Sequence, residues 1–250
     1  MVTTFRAPFI SRDAVAHTLR SRGYAVLAPE DVAMLCDVSL EALQALASSW
    51  NDLPADEYLR DGGRYRQRRH ACFVVRADTC EQMPHRAHYQ PLDYNALHGG
   101  LQRWFAPMAQ ATVAAPAWTT MLRALGACLR EVRTSDPWYV EAHQFRIDTR
   151  DGIGRPTPEG AHRDGVDFVA VFIVDRDAIR GGETRVFEAD GPDGQRFTLT
   201  EPWSLLLLDD TRMIHETTPI QPAGAGGERG AGHRDTLVLT FRAGGFQAEA

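Results

Sequence analysis

The chain has 250 residues and a formal net charge of −6, with 44% hydrophobic and 24% charged residues. An acidic balance of this kind excludes a general affinity for nucleic acid or for an anionic membrane, both of which need a basic surface. No apolar run reaches the roughly 18 residues that a bilayer span requires, and the N-terminal MVTTFRAPFISRDAVAH lacks the apolar core of a signal peptide, so a cytoplasmic location is expected.

Ser11 is placed to cap a helix over RDAVAHTLRSR that stops at Gly23. PEDVAMLCDVSLEALQALASSW carries Val32, Leu35, Val38, Leu43, Leu46 and Ala47 at helical spacing, which predicts one helical stretch. Residues 51–69 are charged and broken by glycine, as in a loop; within them RYRQRR, Arg64 to Arg69, reads as a solvated or substrate-facing run. HACFVVR predicts a strand, and Pro84 to Pro107 is rich in turn residues. Trp118, Met121, Leu122, Leu125 and Leu129 predict a helix from Pro116 to Arg133. Cys36, Cys72, Cys80 and Cys128 form no CxxC pair, so reduced and mostly buried thiols are expected.

After Asp136 the pattern changes. WYVEAHQFRIDT, DFVAVFIV, GETRVFEA, QRFTLT, WSLLLLDD and DTLVLTFRA are strand-like and separated by turn residues. Short strands of this kind make a sandwich or barrel, and the missing βαβ rhythm excludes a doubly wound sheet. The expectation is a single domain, 1–250, mainly β with N-terminal helices: residues 1–135 mostly helical, packed on a barrel over 136–243. The glycine-rich 224–232 lacks GK[ST] and reads as a surface connection rather than a phosphate cradle.

Chemistry-bearing residues concentrate in the β half. In EGAHRDG, His162 and Asp164 stand two apart, so an extended segment projects both from one face. His215, after the apolar WSLLLL and a polar turn, is the natural third ligand. Two histidines and one carboxylate form the facial triad that holds iron(II) and leaves coordination positions open; the alternative is ordinary loop polarity. Arg234 opens the last strand and Thr236 shares its face, a pair suited to the carboxylate of a 2-oxo acid. The alternative for Arg234 is a surface charge or a pair with Asp235. His85 and His88 lack a companion carboxylate motif and read as packing residues, and one of Asp209 and Asp210 reads as a partner that orients a ligand. No GxSxG is present.

The ordered set EGAHRDGVDFVAVFIVDRDAIRGGETRVFE, LTEPWSLLLLDDTRMIHETTPI and HRDTLVLTFR, preceded by YRQRRHACF, QPLDYNALHGGLQRWFAP and EAHQFRI, resembles the bacterial 2-oxoglutarate/Fe(II) dioxygenases that hydroxylate free amino acids. The L-isoleucine 4-hydroxylase group is one branch. The resemblance spans residues 60–243. It implies a double-stranded β-helix, a cupin-like jelly roll, with His162, Asp164 and His215 as Fe(II) ligands and Arg234 on the distal carboxylate of 2-oxoglutarate. This chain departs by its insertion AGAGGERGAG, which offers Arg229 as a second anchor; a strand residue is held more rigidly than one in a glycine loop, which favours Arg234.

The implied reaction consumes 2-oxoglutarate and O2, releases succinate and CO2, and hydroxylates an unactivated C–H bond of a free L-amino acid of leucine, isoleucine, methionine or pipecolate type. For its contacts, Gln144 and Arg146 share one face of their strand, and His143 and Phe145 the other. Alternation alone leaves the inward face open; the familial HQFRI selects Gln144 and Arg146. Tyr139, Arg68 and Tyr94 are further candidates, and Phe168, Val169, Val171 and Phe172 supply an apolar wall. A cupin-fold isomerase or hydrolase would keep the triad without needing the arginine, and a silent binding protein would lack a ligand.

Overall fold

The computed structural model describes residues 5–95, 97–224 and 231–247. Its N-terminal layer holds α1 (Val15–Arg22), β1 (Tyr24–Leu27), α2 (Pro29–Cys36) and α3 (Leu40–Leu46). Gly23, at φ 76°, ends α1 and donates its N–H to Leu19; left-handed backbone costs glycine little. The single helical stretch expected after Pro29 is divided. Asp37 turns left-handed at φ 53°, and the Ser39 hydroxyl accepts from the Ala42 N–H at 3.2 Å, starting α3 afresh. A 3₁₀ turn over Ala47–Asp52 follows and buries Trp50.

β2 (Arg66–Val75) starts within the segment expected to be loop. The charge pattern suits a loop, but Arg66 pairs with the buried Asp56 at 2.7 Å and the backbone continues into the sheet. β3 (Cys80–Gln82), an irregular stretch, α4 (Gln110–Val113) and α5 (Pro116–Val132) come next. The β half contains β4 (Trp138–Asp148), β5 (Phe168–Asp177), β6 (Ile179–Gly181), β7 (Thr184–Glu188), β8 (Gly194–Phe197), β9 (Leu205–Asp209), β10 (Met213–Thr217), β11 (Ile220–Pro222) and β12 (His233–Arg242).

Among the described residues the large sheet runs β1-β9-β5-β12-β4-β2-β3, a smaller one runs β10-β7-β8, and β11 pairs with β6, every strand pairing being antiparallel. Period-two alternation divides the large sheet's side chains. Phe168, Phe172, Leu237, Leu239 and Phe241 face the helices and join Leu19, Trp118 and Leu125 in the main core. Each such buried side chain contributes about 2 kcal/mol. Val169, Ile173, Leu206 and Leu208 face the smaller sheet and meet Val186, Phe197 and Met213. The result is a mainly antiparallel β fold with a jelly-roll core backed by helices. It corrects one expectation: Phe168 and Phe172 belong to the helix-side core, and of the expected apolar wall Val171 reaches the inner cavity.

No single helix among the described residues is long and apolar enough to cross a membrane. The four cysteines are free thiols, and three of them are buried.

Candidate metal and cosubstrate site

The segment between β4 and β5 is fixed at both of its chemical residues. His162 exchanges backbone hydrogen bonds with His215, at 3.0 and 2.9 Å, which sets their rings 4.6 Å apart. His215 is itself locked in β10, opposite Val186, so it lies inside a strand rather than on a turn. Asp210 anchors the next residues: its carboxylate accepts from the N–H groups of Asp164, Gly165 and Val166 at 3.0, 2.8 and 3.0 Å. Of Asp209 and Asp210, it is Asp210 that holds the Asp164 segment. Burial and the Asp164 charge push the Asp210 carboxyl up, against those three donors. Gly165 sits at φ 77°, and a Cβ there would lie 2.6 Å from the Tyr94 ring.

His162 Nε2 lies 3.8 Å from Asp164 Oδ1, and His215 Nε2 lies 3.7 Å from Asp164 Oδ2. One donor atom from each of the three residues falls within 4.8 Å of the others. The Nδ1 of His162 contacts the Gly160 carbonyl at 2.9 Å; a carbonyl only accepts, so the proton sits on Nδ1 and the Nε2 lone pair is free for a metal. Gln90 donates to Asp164 Oδ1 at 3.1 Å. Two imidazoles and one carboxylate on one side of an ion, with a cavity on the other, fit Fe(II).

The triad lines that cavity together with residues of β2, β4 and β12. Arg234 and Thr236 line it from β12. Arg234 is 4% exposed, and its Nε has no hydrogen-bond partner among the described residues. Burial, and then the Arg176 charge, push this guanidinium down to about 9. The pairing of Arg234 with Asp235 that composition allowed is not made; Asp235 points to the other face and binds Arg146 at 2.6 Å. A buried cation on a cavity wall, with no counter-ion among the described residues, fits an incoming carboxylate. Arg229 lies outside the described residues.

The register of β4 corrects the expected substrate face. Tyr139, Glu141, His143, Phe145 and Ile147 line the cavity, whereas Gln144 donates to Ser49 Oγ at 2.7 Å and Arg146 bonds Asp235 and Asn51 on the helix side. The helical layer offers these two side chains polar partners, and pleating sends the alternate set inward. Tyr139 and Arg68 do line the cavity; Tyr94 packs on Gly165 instead.

A second buried constellation was missed from sequence. His70, His88 and His143 surround Glu141, whose Oε2 lies 3.7 Å from His70 Nε2, 3.7 Å from His143 Nε2, and in hydrogen-bond contact with His88 Nδ1. His88 is thus more than a packing residue. Burial opposes charge on Glu141, but His88 and its two neighbours hold it well below the usual carboxylate range. Arg68 Nη2 stands 2.8 Å from His143 Nδ1. Arginine only donates, so Nδ1 accepts and the His143 proton sits on Nε2, facing Glu141. That tautomer has no lone pair at Nε2 for a metal, and the cluster reads as a caged carboxylate. The signal was present in VEAHQF: Glu141 and His143 stand two apart on a strand, the same spacing that singled out His162 and Asp164.

The family profile described as 2OG-Fe dioxygenase matches residues 47–240. Among solved structures, the chain is similar to a bsmA homologue from Methylobium petroleophilum PM1, at 48% identity over 100% of both chains and TM-score 0.91. It shares its fold with IDO from Bacillus thuringiensis, at 16% identity, 97% of this chain, 100% of that chain and TM-score 0.75. It does so also with the Fe(II)/(alpha)ketoglutarate-dependent dioxygenase TqaL, at 18% identity, 91% of this chain, 85% of that chain and TM-score 0.67. Comparison with curated proteins finds no match.

Proposed function

Since this chain belongs to the 2OG-Fe dioxygenase family, we propose that it hydroxylates an unactivated C–H bond of a free L-amino acid with an aliphatic or cyclic side chain. The family uses Fe(II), 2-oxoglutarate and O2. In this reading His162, Asp164 and His215 hold the metal, and Arg234 with Thr236 holds the distal carboxylate of 2-oxoglutarate. The carrying observation is that the triad and a buried arginine, with no ion pair among the described residues, share one cavity. When bound, iron and its cosubstrate supply the oxidising power, converting 2-oxoglutarate and O2 to succinate and CO2 and giving one oxygen atom to the substrate.

The chain's own task is orientation. Asp210 and the His162–His215 backbone pair hold the segments that carry the ligands in place. Strand β12 carries Arg234 rigidly. Val166 and Val171 give the cavity an apolar patch for a hydrocarbon side chain, while Arg103 and Glu141 give it charge of both signs. That mixture supports a small zwitterion with an apolar tail.

The test is incubation with Fe(II), 2-oxoglutarate, ascorbate and a panel of proteinogenic and non-proteinogenic amino acids. A gain of one oxygen on one component, matched by succinate, is expected. Absence of iron-dependent succinate with every mixture would favour a cupin-fold isomerase, hydrolase or binding protein instead.

A further inference from the structure

Two groups of opposite charge on the cavity wall are left incompletely paired, and the proposed metal and cosubstrate sites use neither. Glu141 is 6% exposed, and its Oε1 has no hydrogen-bond partner among the described residues, while the three histidines gather about Oε2. Arg103 is 3% exposed; its Nε is likewise unpartnered, no carboxylate among the described residues pairs with it, and its Nη2 makes only a 3.4 Å contact with Gln90. Leaving buried charged groups short of partners is costly unless something else completes them.

The two are neighbours by construction. His88 and Arg103 exchange backbone hydrogen bonds at 2.9 Å each. A directly opposed antiparallel pair projects side chains to the same side, and the His88 side chain binds Glu141. Gln90 contacts both Asp164 and Arg103, which sets this pair beside the metal ligands. It is also removed from the cosubstrate anchor. Arg234 lies opposite Ile147 and Glu141 opposite Thr240, six residues further along β12, which is about 20 Å of strand.

Resting on the free amino acid reading above, we infer that Glu141 and Arg103 form the substrate's head-group clamp, with Glu141 taking the α-ammonium and Arg103 the α-carboxylate. The histidine cage keeps Glu141 anionic in a buried setting, which an ammonium acceptor requires. Glu159 is the competing carboxylate. Its Oε1 lies 3.4 Å from His162 Nε2 and its Oε2 is also without a partner among the described residues, but no cage of histidines surrounds it as one surrounds Glu141.

The test measures binding to the full chain with Fe(II) and 2-oxoglutarate under argon. The probes are L-leucine, L-isoleucine, L-methionine and L-pipecolate, each beside its analogue lacking the amino nitrogen's charge and its analogue lacking the carboxylate. Wild type is expected to prefer at least one free amino acid over both analogues by about 30-fold. Glu141→Gln removes the preference over the amino-blocked analogue, Arg103→Ala removes the preference over the decarboxylated one, and both variants keep wild-type affinity for 2-oxoglutarate. A merely structural role would weaken all probes alike and leave the preferences intact, which would overturn the clamp. So would loss of the ammonium preference in Glu159→Gln instead of Glu141→Gln. Should Glu141→Gln fail to fold, the clamp stands or falls on the Arg103→Ala preference. A wild type that binds none of the free amino acids sinks the substrate reading and the clamp with it; a wild type that binds one, with preferences unmoved in the variants, sinks the clamp alone.

Discussion

Arg234 shows how a single residue's surroundings support its proposed role as the carboxylate anchor. It is buried on the cavity wall, its neighbour Asp235 is engaged by Arg146, and its Nε is unpaired. Arginine presents a planar, two-pronged donor to a carboxylate, which lysine cannot reproduce. Arg234→Lys is therefore expected to raise the KM for 2-oxoglutarate by about 10- to 100-fold, the range for a lost charged hydrogen bond. Fe(II) affinity should stay at the wild-type level, because Arg234 is not among the triad. Titration of 2-oxoglutarate into the iron-loaded protein under argon, next to steady-state kinetics, checks both halves. An unchanged KM would remove Arg234 from the anchor role.

The segment that carries His162 and Asp164 is short and braced from outside. The HxD segment has no ladder of its own; it hangs on one backbone pair to β10 and on three N–H bonds to Asp210. Gly165 makes those three hydrogen bonds possible, because its φ of 77° turns consecutive amides toward one carboxylate. Gly165→Ala meets two costs: a left-handed backbone that disfavours a Cβ, and a 2.6 Å approach to Tyr94. The expected loss is about 1–3 kcal/mol, read by urea denaturation, together with weaker Fe(II) binding because Asp164 is the adjacent residue. Normal stability and metal affinity in this variant would show that the segment is not held as described. Element edges elsewhere follow the same logic. The helical layer is tied to the sheet where Trp50 Nε1 donates to the carbonyls of Phe145 and Thr236, at 3.2 Å each.

At the scale of the whole molecule, the site links two parts of one fold, so its occupancy is coupled to global stability. A ligand at about 100 times its Kd adds about 2.7 kcal/mol to the folded state. For a chain of this size that is a rise of about 5–10 °C in Tm. Mn(II), a redox-quiet substitute for Fe(II), added with 2-oxoglutarate is expected to give such a rise in wild type. In Asp164→Ala it should give little or none, while the unliganded Tm remains near that of wild type and succinate formation is abolished. Asp164→Ala turning over normally would mean that the ligand assignment is wrong.

Much of this was written locally in the chain. The triad's HxD spacing, the apolar strands after Asp136, the Pro116 helix and the stop at Gly23 are near-neighbour patterns, and periodicity exposes them directly. What stayed hidden depends on partners distant in sequence. Whether Gln144 or His143 faces the cavity turns on Ser49, Asn51 and Asp235 waiting on the helix side. Residues 66–69 read as loop because composition cannot show that the buried Asp56 compensates Arg66 and Arg68. The histidine cage draws on β2, β4 and the irregular stretch before α4, so no window of sequence contains it. Alternation along a strand fixes which residues share a face; only the layer packed against the sheet decides which face is inside, because side-chain direction costs nothing until something occupies the other side.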